Sequence, residues 1–387
     1  MTRPDHRRRP LAAALAAAVL LLAAATACSK KDVDDDEEAA GPAVEAGGEV
    51  EGCGEGSWTD PEDLEPDREP ARCEPGAPAP DPLPEETDVV ITSGTLAAEF
   101  VAPIQVAIDR GEFEAENLNV TLRQVPPSDS LQLLGQGEVD AVWSAPEAGF
   151  VNGVDSGFDL RWVAGNYSTP PESRSGLWVH GEQGEEPDLS ELEGRTLASI
   201  VGRGSVALYP VEQALDEVGL SLSDLDFRTL PAGDIVTAFE NGQVDAVWLL
   251  DPLWTQLEDD PDAVWVAGQP PGEPLGGLIY GPNLLRDRPE VGEAFMRAYV
   301  RTINTYFAGD YKSDPEFVQY LAELIELDPA LLESTPSLTM DWEIRAGSTD
   351  RFQEVFIEND AVRIDEPLPE DELVDRSFYE AVVGHTG

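Results

Sequence analysis

The heptapeptide GEVDAVW at residues 137–143 returns almost unchanged as GQVDAVW at residues 242–248. Aligned without gaps, residues 121–143 and 226–248 agree at nine of 23 positions, among them Arg123/Arg228, Pro126/Pro231, Asp129/Asp234 and Gly137/Gly242. Pro103/Pro210, Ala107/Ala214 and Asp109/Asp216 carry the match upstream. Self-similarity at a long fixed period restricts a fold more than any single element does, because both copies must adopt the same local structure. The bland alternative is two generic α/β units that share only propensities.

The elements around each copy are of one kind. DVVIT (88–92), VTLRQV (120–125) and VDAVW (139–143) read as strands, with helices over 96–111 and 130–137 between them. TLASIV (196–201), DFRTL (226–230) and VDAVW (244–248) repeat the order, with helices over 205–219 and 234–242. Strands alternating with helices imply parallel sheets covered by helices. Asp129 and Asp234 are expected as helix N-caps and Gly137 and Gly242 as C-caps. RWVAG (161–165) and VWVAG (264–268) each close a unit and precede a Pro- or Gly-bearing crossing that leads into an apolar strand, LWV (177–179) or LIY (278–280). The chain is therefore expected to build one lobe from 88–166 and 278–387, a second from 167–277, and two hinge crossings with a cleft between the lobes. The last hundred residues read as mainly helical and are expected to pack back on the first lobe.

Ahead of this body, Arg7, Arg8 and Arg9 precede an apolar run from Leu11 to Ala25, and Ala25-Thr26-Ala27 leads to Cys28. That is the pattern of a secretory signal peptide, here residues 1–27, and the run is short for a membrane span. The tripeptide resembles a bacterial lipoprotein cleavage box, which makes Cys28 the lipidated residue; a plain signal or an uncleaved anchor is the alternative. Residues 28–87 are acidic, rich in Pro and Gly and poor in apolar residues, a disordered tether with a reach of at least about 40 Å. The other two cysteines, Cys53 and Cys73, form an even set in an oxidising compartment, so a disulfide is expected, with idle thiols as the alternative. The formal net charge of −53 leaves no basic stripe, which disfavours nucleic acid and anionic membrane surfaces as partners. Lysine occurs only at 30, 31 and 312, a balance suited to high salt.

The stretches GEFEAENLNVTL, LLGQGEVDAVWSAPEAGF, DLSELEGRTLASIVGRGS and AFENGQVDAVWLLDPLW together resemble the solute-binding proteins of ABC importers. The group closest in pattern takes nitrate, sulfonates, taurine or thiamine-precursor pyrimidines. The resemblance covers about residues 88 to 310. It implies a two-lobed type II periplasmic-binding α/β fold, closure on a small ligand, delivery to a membrane permease, and a monomer anchored by lipid on the outer face of the cell membrane.

In open parallel sheets, ligands bind beyond the carboxyl ends of the strands. Five loops qualify: Ser93 and Thr95 after the first strand, Ser144 and Glu147 after the first VDAVW, Asn166 and Tyr167 in the first crossing, Arg203, Gly204 and Ser205 in GRGS, and Asp251 and Trp254 in LLDPLW. GRGS is expected to open a helix whose free N–H groups face the cleft, with Arg203 suited to an oxyanion; a tight turn with a solvated arginine is the alternative. Glu147 and Asp251 favour a ligand carrying an amine, or Asp251 is only a turn residue before Pro252. Trp254 either stacks on ligand or caps the core; Trp143 and Trp248 are assigned to core. The mix points to a taurine-like or zwitterionic sulfonate, or to a nitrogen heterocycle, over a bare inorganic anion.

No cofactor, metal site or catalytic residue is expected. The body has no cysteine, and its histidines are His180, read as a surface turn, and His385 near the C-terminus. Thiol nucleophiles and Cys/His metal sites are thereby excluded. A carboxylate-dependent secreted hydrolase is the rival from another class.

Overall fold

The computed structural model describes residues 78–269, 274, 276–345 and 347–383. The apolar leader, most of the tether, Cys28, Cys53 and Cys73, and residues 270–273 and 275 of the second crossing lie outside the described residues. Among those described, no helix is long and apolar enough to cross a membrane.

The first copy runs β1 (Thr87–Ser93), α1 (Ala102–Asp109), β2 (Leu118–Gln124), α2 (Pro127–Gly135), β3 (Ala141–Ser144), α3 (Ala148–Asp155) and β4 (Arg161–Gly165). A short strand β5 (Tyr167–Ser168) lies in the first crossing, which ends in β6 (Gly176–His180). The second copy is β7 (Thr196–Ser199), α4 (Tyr209–Asp216), β8 (Asp226–Thr229), α5 (Ala232–Glu240), β9 (Ala246–Leu249) and β10 (Ala263–Ala267). The chain returns through β11 (Gly277–Tyr280) to α6 (Pro289–Tyr306), α7 (Pro315–Leu324), α8 (Pro329–Glu333), β12 (Thr339–Met340), α9 (Ser348–Glu358), α10 (Glu370–Leu373) and α11 (Ser377–Val383).

Two five-stranded sheets result, in the orders β2-β1-β3-β11-β4 and β8-β7-β9-β6-β10. They correspond strand for strand. The centre of each is parallel, with Ser93 opposite Trp143 in one and Ser199 opposite Trp248 in the other. Each also receives one antiparallel strand that arrives by a crossing, β11 in the first and β6 in the second. The two VDAVW strands thus lie in different sheets, and each sheet borrows a strand from beyond the other.

The copied residues have physical work in this plan. Asp140 accepts a hydrogen bond from the Val90 N–H at 2.7 Å, and Asp245 accepts one from the Thr196 N–H at 2.9 Å. Each aspartate thereby satisfies a donor of the neighbouring central strand, while Trp143 and Trp248, both 1% exposed, fill the core. The borrowed strands begin at Gly277 and Gly176. A Cβ on Gly277 would sit 1.8 Å from the Ala164 carbonyl oxygen, and one on Gly176 2.0 Å from that of Ala267. The neighbouring backbone leaves room only for glycine there.

Gly137 and Gly242 follow their helices with φ of 71° and 64°, the left-handed helix stop expected of them. Asp129 and Asp234 are not N-caps: the caps are Pro126 and Pro231, and both aspartates fall inside the first turn, where their charge favours the helix dipole. The helix expected over 96–111 is a short 3-10 turn, Glu99–Val101, followed by α1. His180 ends β6 and stacks on Phe239, ring centroids 4.0 Å apart, instead of sitting in a turn. The C-terminal helices share one core with the first sheet, through Phe295, Tyr299, Phe352 and Phe356 among others. The chain is already tied to this core at Pro78, well before Asp88. Arg301 on α6 donates to the Pro78 carbonyl, and Arg297 donates to that of Asp81.

Candidate ligand-binding site

A cavity of about 90 Å³ lies where the two copies meet. The first copy contributes Ala97, Ala98, Glu99 and Phe100, from the segment after β1. The second contributes Leu250, Asp251 and Pro252, from the segment after β9. Tyr167, Thr169 and Ser175 enter from the first crossing, and Leu327, Leu331, Leu332, Thr335 and Leu338 close it from the C-terminal helices. The position is the one that strand direction dictates, beyond the carboxyl ends of parallel strands.

Both carboxylates on the wall are held by neighbours. Asp251 accepts from Ser175 Oγ at 2.8 Å and Ser173 Oγ at 3.4 Å on one oxygen, and from Trp254 Nε1 at 2.5 Å on the other. Glu99 accepts from Tyr311 Oη at 2.5 Å and from Lys312 Nζ at 2.8 Å. Burial raises the Glu99 carboxyl above the ordinary glutamate range, against the pull of Lys312, and the charge of Asp251 adds to the rise. Burial, then the charges of Asp251 and Glu99, push the Tyr167 hydroxyl upward. Its ring lies 5.9 Å from Phe100 at an interplanar angle of 19°, a stacked pair forming one wall.

Two of the candidates from sequence, Tyr167 and Asp251, come together on this wall. Thr95 stands just outside, its Oγ1 accepting from the Ala97 N–H in the turn that presents Glu99. Asn166 is buried and accepts from the Tyr167 N–H, which orients the crossing. Trp254 is 3% exposed and belongs to the core under the second sheet, touching the site only through its bond to Asp251. Ser93 and Ser144 are taken up by their sheet.

The remaining candidates form a different feature. The Ala148 N–H donates to the Gly204 carbonyl at 3.0 Å, and Ser205 hydrogen-bonds the Glu147 carboxyl. The expected anion loop of one copy thus meets the start of α3 in the other, and together they seal one end of the seam. GRGS opens only a 3-10 turn, Val206–Leu208, before α4, so no row of free helix N–H groups faces the cavity. Arg203 does not reach it either. Its guanidinium lies 5.3 Å from the Phe227 ring centroid and donates to the Leu225 carbonyl, because an aromatic face and a free carbonyl are nearer than the cleft. Glu147 is half-buried in this contact, and desolvation there raises its carboxyl, with the Ser205 bond opposing in part.

Glu99, Phe100 and the leucines of the C-terminal helices were missed from sequence. Glu99 sits in the 3-10 turn that read as the body of a helix. The leucines lie far along the chain, in helices whose inward faces look like ordinary core.

Two equivalent sheets, two crossings and an enclosed cavity at the seam define a two-lobed α/β fold of the periplasmic binding-protein type. The sequence pattern of the family described as "NMT1/THI5 like" matches residues 99–308, more than half the chain, and the protein belongs to that family. No curated protein matches the chain. Among solved structures it is similar to the alkanesulfonate-binding protein SsuA from Xanthomonas axonopodis pv. citri bound to MOPS. That match has 19% identity and a TM-score of 0.57, covering 75% of this chain and 99% of that one. The aliphatic sulphonate binding protein SsuA from Escherichia coli follows at 17% identity and a TM-score of 0.53, covering 75% and 92%. The nitrate-binding protein NrtA from Synechocystis PCC 6803 has 12% identity and a TM-score of 0.53, covering 78% and 89%. At these identities the likeness is one of fold.

Proposed function

We propose that the protein is the solute-binding component of an ABC importer. A lipid on Cys28 holds it to the outer face of the membrane, residues 28–77 serve as tether, and the two lobes, 88–166 with 278–387 and 167–277, close on a small organic solute. Ligand contacts from both lobes favour the closed form, and the permease reads the closed surface. One observation carries this reading: a cavity lined from both copies, the first crossing and the C-terminal helices. The similarity in fold to sulfonate- and nitrate-binding proteins supports it. The rival hydrolase draws on Glu99 and Asp251, two carboxylates on one wall.

The test is to purify the lipidated protein from its own membrane, denature it, and identify released small molecules by mass spectrometry. A stoichiometric solute that raises the Tm when returned supports the reading. At 100 times Kd the expected gain is about 2.7 kcal/mol. Chemical turnover of that solute by the protein alone would replace it with the hydrolase.

A further inference from the structure

We propose that the cavity selects a small organic cation, an ammonium on a compact apolar body, with Asp251 as its counter-charge. This deepens the solute-binding reading and rests on it. The inference comes from charge balance. Among the described residues, Glu99 and Asp251 line the cavity, and no lysine, arginine or histidine does. Lys312 does not line the cavity and pairs with Glu99. Its ammonium is taken up by Glu99 at 2.8 Å, by Thr335 Oγ1 and the Pro336 carbonyl at 3.0 Å, and by the Thr335 carbonyl at 3.3 Å. Lys312 therefore balances Glu99 and has no proton left to offer a ligand, since an ammonium carries only three.

Among the described residues Asp251 has no such partner. Its donors, Ser173, Ser175 and Trp254, are all neutral. They fix the carboxylate in place without cancelling its charge, and a carboxylate has about four acceptor positions, so one remains for a ligand. Sequestering an uncompensated charge is costly, and a cation arriving with the solute removes that cost. An anionic head at the same place meets repulsion from the Asp251 carboxylate. The rest of the cavity matches an apolar body. Phe100 and Tyr167 offer ring faces, which attract cations, and Leu250, Leu332 and Leu338 are hydrocarbon. The volume, about 90 Å³, is below the roughly 150 Å³ of an apolar cavity that holds benzene, so the body is small.

The experiment uses the whole mature protein, freed of co-purified solute by unfolding and refolding. Two carbon skeletons, propyl and butyl, are each offered as the ammonium ion, the neutral alcohol and the sulfonate, with Kd read by calorimetry. The ammonium of at least one skeleton is expected to bind about tenfold or more tighter than its alcohol, with the sulfonate weakest. Asp251→Asn is expected to bring ammonium and alcohol level while the alcohol's own affinity holds. Should that variant not fold, the wild-type comparison still decides. Sulfonate binding equal to or tighter than ammonium overturns the charge inference and leaves the solute-binding reading intact. Absence of binding by every member overturns the inference as well, and the solute released from native protein then judges the broader reading separately.

Discussion

Gly204 offers a direct handle on closure. A methyl placed there would lie 2.8 Å from Ala148 Cβ and 3.7 Å from Ala361 Cβ, both on the opposite side of the seam. Real Cβ atoms do not approach so closely, and Ala148 has no flexible end to move aside. The same residue accepts the Ala148 N–H at 3.0 Å, so relieving the clash also stretches that bond. Overpacking of this kind costs about 1–3 kcal/mol. In an open form the two surfaces part and the penalty vanishes. Gly204→Ala should therefore weaken solute affinity about 5- to 140-fold, a tenfold change being about 1.4 kcal/mol. The backbone of Gly204 is not left-handed, so alanine fits it without strain. The unliganded protein should then unfold no earlier than wild type, and a gain of about 0.4–1 kcal/mol from the stiffer unfolded chain is expected. Calorimetry gives the affinity and a denaturant titration the stability. Wild-type affinity in the variant would refute the claim that this contact belongs to the liganded form. A parallel loss of unliganded stability would show that the contact persists in both states.

Glu147 predicts a pH dependence of the same closure. Its carboxyl is raised by burial against Ser205, so closing takes up a proton, and the closed form is favoured fully below the ordinary glutamate value. That advantage is lost as pH rises through the elevated value; Glu147→Gln should flatten this part of a Kd-against-pH profile, and an unchanged slope would assign it elsewhere. Arg301→Met removes one of the two arginines paired with the fully buried Glu116, leaving Arg297 at 3.0 Å, and should lower unfolding free energy by about 1–3 kcal/mol in urea titration. Gly277→Ala drives a methyl into the Ala164 carbonyl and should cost more than about 4 kcal/mol, read as loss of soluble protein or of cooperative melting. With a net charge of −53, Tm should climb as salt rises from low to molar concentration, and a flat response would remove the high-salt reading.

What could be read from the sequence was whatever repeats by local rules. Strand and helix order follow from apolar periodicity, the stops at Gly137 and Gly242 from their left-handed backbone, and the burial of Trp143 and Trp248 from their place at the end of an apolar strand. Side-chain direction at the site was not readable in the same way. Arg203 has a long stem that can reach either side of its loop, and its choice is made by Phe227, which only the fold brings near. Glu99 and the wall of leucines were hidden because their contacts span more than two hundred residues, as in the Glu99–Lys312 pair. Likewise nothing local in residues 78–86 says that they dock; the arginines that hold them lie on α6.

The two copies part company immediately after their shared strand. Through Trp143 and Trp248 the strands are alike in sequence, pairing and burial, because each must carry the same sheet. One step further the chains read SAPE and LLDP. The first leads into α3, and its glutamate and following N–H grip Gly204 and Ser205 across the seam. The second turns through Asp251 and Pro252 onto the cavity wall. A duplicated unit with identical ends would place the same group twice, either two seals or two charged walls. Different residues at these ends would let one seam both latch and recognise. Exchanging the two tetrapeptides should accordingly leave secondary structure in place by circular dichroism, while abolishing both the pH dependence and the ligand affinity. A swapped protein that still bound its solute would mean that recognition resides in the crossing and the C-terminal helices instead.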